Sequence, residues 1–175
     1  MGSNLDGNLR ATFFPSMPSE VYNDWLAPFV ATYGWPFRGV ASEKTIGTSF
    51  AGVLWGKRLR YWRELQWQRV VRPHNEIVLD PRSQDLAEAI IRHINGIPSF
   101  CGAPPEKIEY RFHRAEDFIR AHNRLPRPIV AVVQNDAVSS LRLADGHHRY
   151  AALKVVDTNN LFIIDMWVGS NPQLS

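Results

Sequence analysis

The stretch from Arg127 to Val168 constrains the fold more than any other part of this sequence. Ile129-Val130-Ala131-Val132-Val133 is an unbroken run of apolar, mostly β-branched residues, the pattern of a strand buried on both faces. Asn135-Asp136 marks a turn, and Val138 to Leu143 reads as the returning strand. Asp145-Gly146 is a second sharp turn, and a helix follows at once over His148 to Val156, with Ala151, Ala152, Leu153, Val155 and Val156 inward. Leu161 to Val168 is a last, almost wholly apolar strand. Strand, turn, strand, tight turn, helix and strand in so few residues predict a compact α+β domain: a small mixed sheet flanked by helices.

Upstream the pattern is looser. Ser19 to Leu26 reads as a short helix capped by Ser19, and Pro28, Gly34 and Pro36 oppose anything longer. Gly39 to Val53 reads as short strands or loop. Leu59, Trp62 and Leu65 predict a helix within Trp55 to Val71, ended by Pro73. Ile77-Val78-Leu79 is a short strand, and Asp80-Pro81 caps a helix stopped by Asn95-Gly96. Ile108 to Phe112 alternates like a strand, and Ala115 to Asn123 reads as a short helix. The domain is expected over residues 76–175, with 1–75 as an N-terminal extension packed on its core.

A chain of 175 residues fits one such domain. No apolar run reaches the roughly 18 residues of a membrane helix, and no signal-peptide pattern is present. The lone cysteine, Cys101, rules out an intramolecular disulfide and a cysteine-rich zinc site. A cytoplasmic protein without membrane insertion is expected. The net charge of +3 does not by itself point to nucleic acid. Its distribution is more informative: one cationic group runs from Lys57 to Arg72, and a second comprises Arg111, Arg114, Arg120, Arg124 and Arg127.

Asp145-Gly146-His147-His148-Arg149-Tyr150 carries the chemistry. A helix start presents unpaired N–H groups and a positive dipole end, and glycine lets a ligand approach the backbone closely. Arg149 adds a cation suited to phosphate oxygens, and His147 and His148 add groups able to donate or carry protons. Together they predict a phosphate cradle. The plain alternative is that Asp145 caps the helix and the histidines are solvated turn residues.

The same residues, continued by Ala151-Ala152, resemble the signature of the ParB/sulfiredoxin superfamily. Arg127-Pro128-Ile129-Val130-Ala131-Val132 resembles the strand that precedes it there, and the strand at Phe162 to Val168 also fits, so the likeness covers roughly residues 107–170. It implies a ParB-like domain in which Gly146, His148 and Arg149 bind nucleotide phosphate, with ATP or another nucleotide and a divalent metal such as Mg²⁺ as cofactors. Asp145, His147, His148 and Arg149 would form the catalytic set. His147 stands where sulfiredoxins carry the nucleophilic cysteine, which argues against sulfinic-acid reduction. No helix-turn-helix follows, which argues against a complete chromosome-partition protein. What remains implied is a nucleotide-binding phosphohydrolase, an ATPase or DNase, similar to plasmid fertility-inhibition proteins of the oncogenic-suppression type. Its partners would be DNA, nucleotide and a conjugation or type IV secretion component. The alternative is a binding module that blocks the transfer machinery without catalysis.

Lys57, Arg58, Arg60 and Arg63, interleaved with Trp55, Tyr61, Trp62 and Trp67, could line a DNA groove. The competing reading is an amphipathic helix with its tryptophans in the core. For a metal, Asp145, His147 and His148 are the nearest donors, with Asp136 and a strand-borne Glu109 behind them, and none is assigned as a ligand. His74, His93, His113 and His122 lack metal spacing and are expected mostly at the surface. Asp80-Pro81-Arg82-Ser83 resembles a nucleotide-contacting helix start of sulfiredoxins, although simple capping explains it equally well.

Overall fold

The computed structural model describes residues 9–33, 54–55, 57, 59–101, 103–134 and 139–171. The chain forms two compact units, Met1–Gln68 with Gly169–Ser175, and Arg69–Val168.

In the first unit, α1 (Ser19–Val21), a π-helical stretch (Tyr22–Leu26) and α2 (Ala27–Tyr33) run on without a break. The helix therefore passes through Pro28, where the sequence predicted a stop. Proline lacks an N–H and crowds the carbonyl four residues back. The widened turn before it, in which the Ala27 N–H reaches the Tyr22 carbonyl, accommodates both defects. Pro18, not Ser19, occupies the cap position. Helix α3 (Leu59–Glu64) is shorter than predicted, and Gln66–Pro73 is strand β1 instead. Leu59, Trp62 and Leu65 are buried, but polar Gln68 and Arg69 occupy the next helical positions, so nothing holds a longer helix against a core. Trp62 packs against Trp25 and Trp55, with ring centroids 5.0 and 5.1 Å away.

The second unit is built on a mixed four-stranded sheet in the order β1-β4-β2-β3. Strands β2 (Ile129–Val133) and β3 (Leu141–Asp145) pair antiparallel, and β4 is Ile163–Ser170. Helices α4 (Pro81–Ile94) and α5 (Pro105–His122) bury one apolar side each, whereas α6 (His147–Val156) buries the consecutive run from Arg149 to Leu153. Ala87, Ile90, Ile108, Phe112, Ile119, Ala151 and Leu153 share a core with Ile129, Ala131, Leu143, Ile164 and Met166 of the sheet. The α+β class predicted from the sequence is the one observed.

Two elements of this unit differ from expectation. Ile108 to Phe112 belongs to α5, because Ile108, Phe112, Ala115 and Ile119 recur at helical spacing and all four are buried. Glu109 accordingly lies on a helix and faces His93 at 3.3 Å. The strand expected at Ile77–Leu79 shrinks to a single parallel bridge between Leu79 and Leu141. The predicted turn at Asn135-Asp136 lies outside the described residues. No helix among the described residues is long and apolar enough to cross a membrane.

Segment 78–83 closes the outer edge of β3. The Leu141 N–H donates to the Val78 carbonyl at 2.8 Å, and the Asp80 N–H donates to the Leu141 carbonyl at 2.9 Å. The Leu143 N–H donates to Ser83 Oγ at 2.9 Å. Asp80 caps α4, its Oδ1 accepting from the Ser83 N–H at 2.9 Å with Pro81 in the first turn, as the sequence predicts.

Candidate functional site

Strand β3 delivers Asp145 to the turn, Gly146 reverses the chain at φ 103°, and α6 begins at His147. A side chain at 146 would be strained by that φ. Its Cβ would also lie 3.1 Å from both Arg149 Nη2 and Ile129 Cγ1. Gly146 is the cap residue, so no side chain caps the ten-residue helix. The helix start that the sequence predicted is therefore present, with no side chain across it.

Arg149 is turned inward and is only 7% exposed. Its Nη1 donates to the carbonyls of Arg127 and Pro128 at 3.1 and 3.0 Å, and its Nη2 donates to Asp145 Oδ2. The guanidinium thus ties the segment before β2 to the end of β3. It also sits under Gly146, which explains why that position tolerates no Cβ. The cations nearer the outside are ones the sequence did not single out for this site. Arg127 Nη2 stands 3.8 Å from Asp145 Oδ2. Arg142 acts electrostatically on His147, and Arg111 of α5 on His148.

Both histidines are half-buried, and both are neutral at pH 7. Burial pushes the pKa of His147 down to about 4, against the opposing pull of Asp145 and Asp80. Burial, then Arg111, pushes His148 down to about 4. His148 Nε2 is buried and has no hydrogen-bond partner among the described residues, a state that ordinarily calls for a ligand or water. Asp80 joins this group because the stitching of α4 to β3 brings its carboxylate within electrostatic range of His147.

Behind the turn lies an arrangement the sequence did not reveal. His74, expected at the surface, is 5% exposed. Its Nδ1 meets Asp157 Oδ2 at 2.8 Å, and its Nε2 meets the Tyr150 hydroxyl at 3.2 Å. Burial opposes ionisation of Asp157, but the Phe162 N–H, His74 and the Leu161 N–H together hold its pKa below the usual value. Burial pushes Tyr150 up to about 12, so it remains a phenol. This chain fixes α6 at Tyr150 and just past its C-terminus. Only the general rule that a buried polar group finds partners could have suggested it, since 83 residues separate His74 from Asp157.

The cations around α3 are largely engaged elsewhere. Lys57 lies over the Tyr61 ring at 5.2 Å, and Arg60 pairs with Glu64 at 2.6 Å. Arg63 Nε donates to the Phe13 carbonyl at 3.3 Å. Arg58 and Asp136 lie outside the described residues. Cys101 is buried, which pushes its thiol pKa up. Among the described residues, no group of three His, Cys, Asp or Glu side chains is placed to hold a metal ion. With the Asp145 carboxylate bonded to Arg149, the turn does not offer the oxygen-rich donor set that Mg²⁺ prefers.

Comparison with protein-family models, curated proteins and solved structures finds no match. Fold and site therefore define the class on their own terms: an α+β protein whose sheet presents an uncapped, glycine-led helix start among arginines and neutral histidines.

Proposed function

We propose that the turn at the start of α6 binds phosphate, and that the chain is a nucleotide-binding phosphohydrolase or DNA nuclease of ParB-like type. The observation that carries this reading is the uncapped helix start behind Gly146. A helix N-terminus with no side-chain cap favours an anion through its backbone N–H groups and its dipole. Arg127, Arg142 and Arg111 add positive potential, and the orphaned His148 Nε2 offers one more bond to a ligand oxygen. Arg149 supports binding by fixing the turn from below. His147 and His148 are the residues to carry a proton in any hydrolytic step, and a bound phosphate dianion would raise both from about 4 toward the range useful near neutral pH. A Mg²⁺ ion taking part would arrive on the phosphate oxygens of ATP or another nucleotide.

The second reading, a binding module without catalysis, draws support from the pairing of Asp145 with the inward-facing Arg149, which removes the one carboxylate of the turn from proton transfer. In the narrower form implied by the resemblance, the protein inhibits conjugative DNA transfer by a rival plasmid through a component of the transfer machinery. One experiment separates the two readings. Wild type and a His147→Ala, His148→Ala variant are compared for binding of a fluorescent ATP analogue, for nucleotide hydrolysis and plasmid cleavage with Mg²⁺, and for conjugation frequency. Hydrolysis lost in the variant supports the enzyme. Analogue binding without hydrolysis, and equal inhibition of transfer by both proteins, supports the binding module. Absence of analogue binding by folded wild type removes the phosphate-binding proposal.

A further inference from the structure

Helix α5 carries much of its charge on two separate flanks, with Glu106 and Asp117 between them. Glu109 meets His93, and Glu116 meets both His113 and Arg120, so these carboxylates gather on one flank. The other flank carries Lys107, Arg111, Arg114 and Phe118, which recur at intervals of three and four residues and so form one stripe. Tyr110 stands beside this stripe, 64% exposed, with its hydroxyl accepting from Arg114 Nη1 at 3.4 Å. Phe118 stacks on His122 with centroids 4.2 Å apart and lies under Arg124 at 5.2 Å. Arg111, within the stripe, lies in electrostatic range of His148 at the α6 turn.

We infer that this flank of α5 binds single-stranded nucleic acid, with the strand running along the helix toward the turn. Lys107, Arg111 and Arg114 neutralise backbone phosphates, and Tyr110 offers an open ring face to an unpaired base. Cations alone would suit any polyanion. The exposed ring of Tyr110 among them favours a strand whose bases are free to stack, which a duplex does not present. The inference deepens the phosphate-binding reading of the turn and rests on it for the direction of the strand.

The test uses the full chain and two probes: a 5′-fluorescein dT15 oligonucleotide followed by anisotropy, and a fluorescent ATP analogue for the turn. The variant is Lys107→Ala, Tyr110→Ala, Arg114→Ala, which leaves Arg111 and the turn intact. Its melting temperature reports that the fold is kept. Binding of dT15 is expected to weaken at least tenfold, and the slope of log affinity against log salt is expected to shrink by about 1.4 for two lost cations. Binding of the analogue is expected to stay unchanged, and a 15-bp duplex is expected to bind more weakly than dT15. A variant that binds dT15 with wild-type affinity and slope overturns the inference and leaves the turn untouched. So does wild type that binds the analogue but not dT15. Duplex binding as tight as dT15 overturns the single-strand assignment. Failure of wild type to bind either probe removes the phosphate-binding reading and this inference together.

Discussion

Gly146 meets two demands, one of conformation and one of space. A side chain there must hold φ near 103° and displace Arg149 Nη2 or Ile129 Cγ1. Left-handed backbone alone costs an L-residue about 1–2 kcal/mol, so Gly146→Ala is expected to lose at least about 2 kcal/mol in urea unfolding. Arg149→Met leaves Asp145 and two backbone carbonyls without their donor, and is expected to cost about 3–5 kcal/mol. A variant with near wild-type stability would show that the guanidinium is not the pin of the turn. His147 and His148 predict a pH dependence whose sign follows from their depressed values. Each titrates at about 4 when folded and near its ordinary 6.5 when unfolded. Between those values the unfolded chain binds more protons, so their contribution is complete above pH 6.5 and is lost as pH falls toward 4. The melting temperature of wild type is therefore expected to drop more between pH 7.5 and 5 than that of the His147→Ala, His148→Ala variant. Equal drops would contradict the burial of these rings.

At the scale of elements, the join between α4 and β3 positions the site from the side. Ser83→Ala removes the hydroxyl that accepts from the Leu143 N–H and is expected to cost about 1–3 kcal/mol. Asp80→Ala removes the cap of α4 at a cost of about 1 kcal/mol. Chemical denaturation of both variants checks these values, and unchanged midpoints would mean that the stitching bears no strain. The elements that were legible in the sequence announce themselves locally. Asp80-Pro81 with Asn95-Gly96 brackets α4, the β-branched run makes β2, and Asp145-Gly146 ends β3. Helix α5 was partly hidden because a five-residue window over Ile108 to Phe112 fits both a period of 2 and one of 3.6. Only by extending the count to Ala115 and Ile119 does the helix declare itself. The end of α3 was hidden because Leu65 continues the apolar spacing by one residue although the backbone has already left the helix. Of the site, the turn and its helix start could be read from sequence. The inward aim of Arg149, the approach of Arg111 and the His74 chain could not, because each depends on contacts between residues distant in sequence.

Across the whole molecule, the α+β class followed from the order of elements, whereas the strand order β1-β4-β2-β3 did not, since β1 and β4 are separated by nearly the whole unit. That sheet supports the α6 turn, with Ile129 and Arg149 beneath it and segment 78–83 along its edge. Support of this kind suits a phosphate site made of backbone N–H groups, which must already point at the ligand before it arrives. The central claim is therefore about backbone amides. The most direct measurement is a titration of ¹⁵N-labelled protein with ATP, and separately with inorganic phosphate, followed by amide chemical shifts. Saturable shifts concentrated at Gly146, His147, His148 and Arg149 are the expected result. A folded protein whose amides at these four positions stay still through the titration, or whose shifts gather around Lys57 to Arg63 instead, would contradict it.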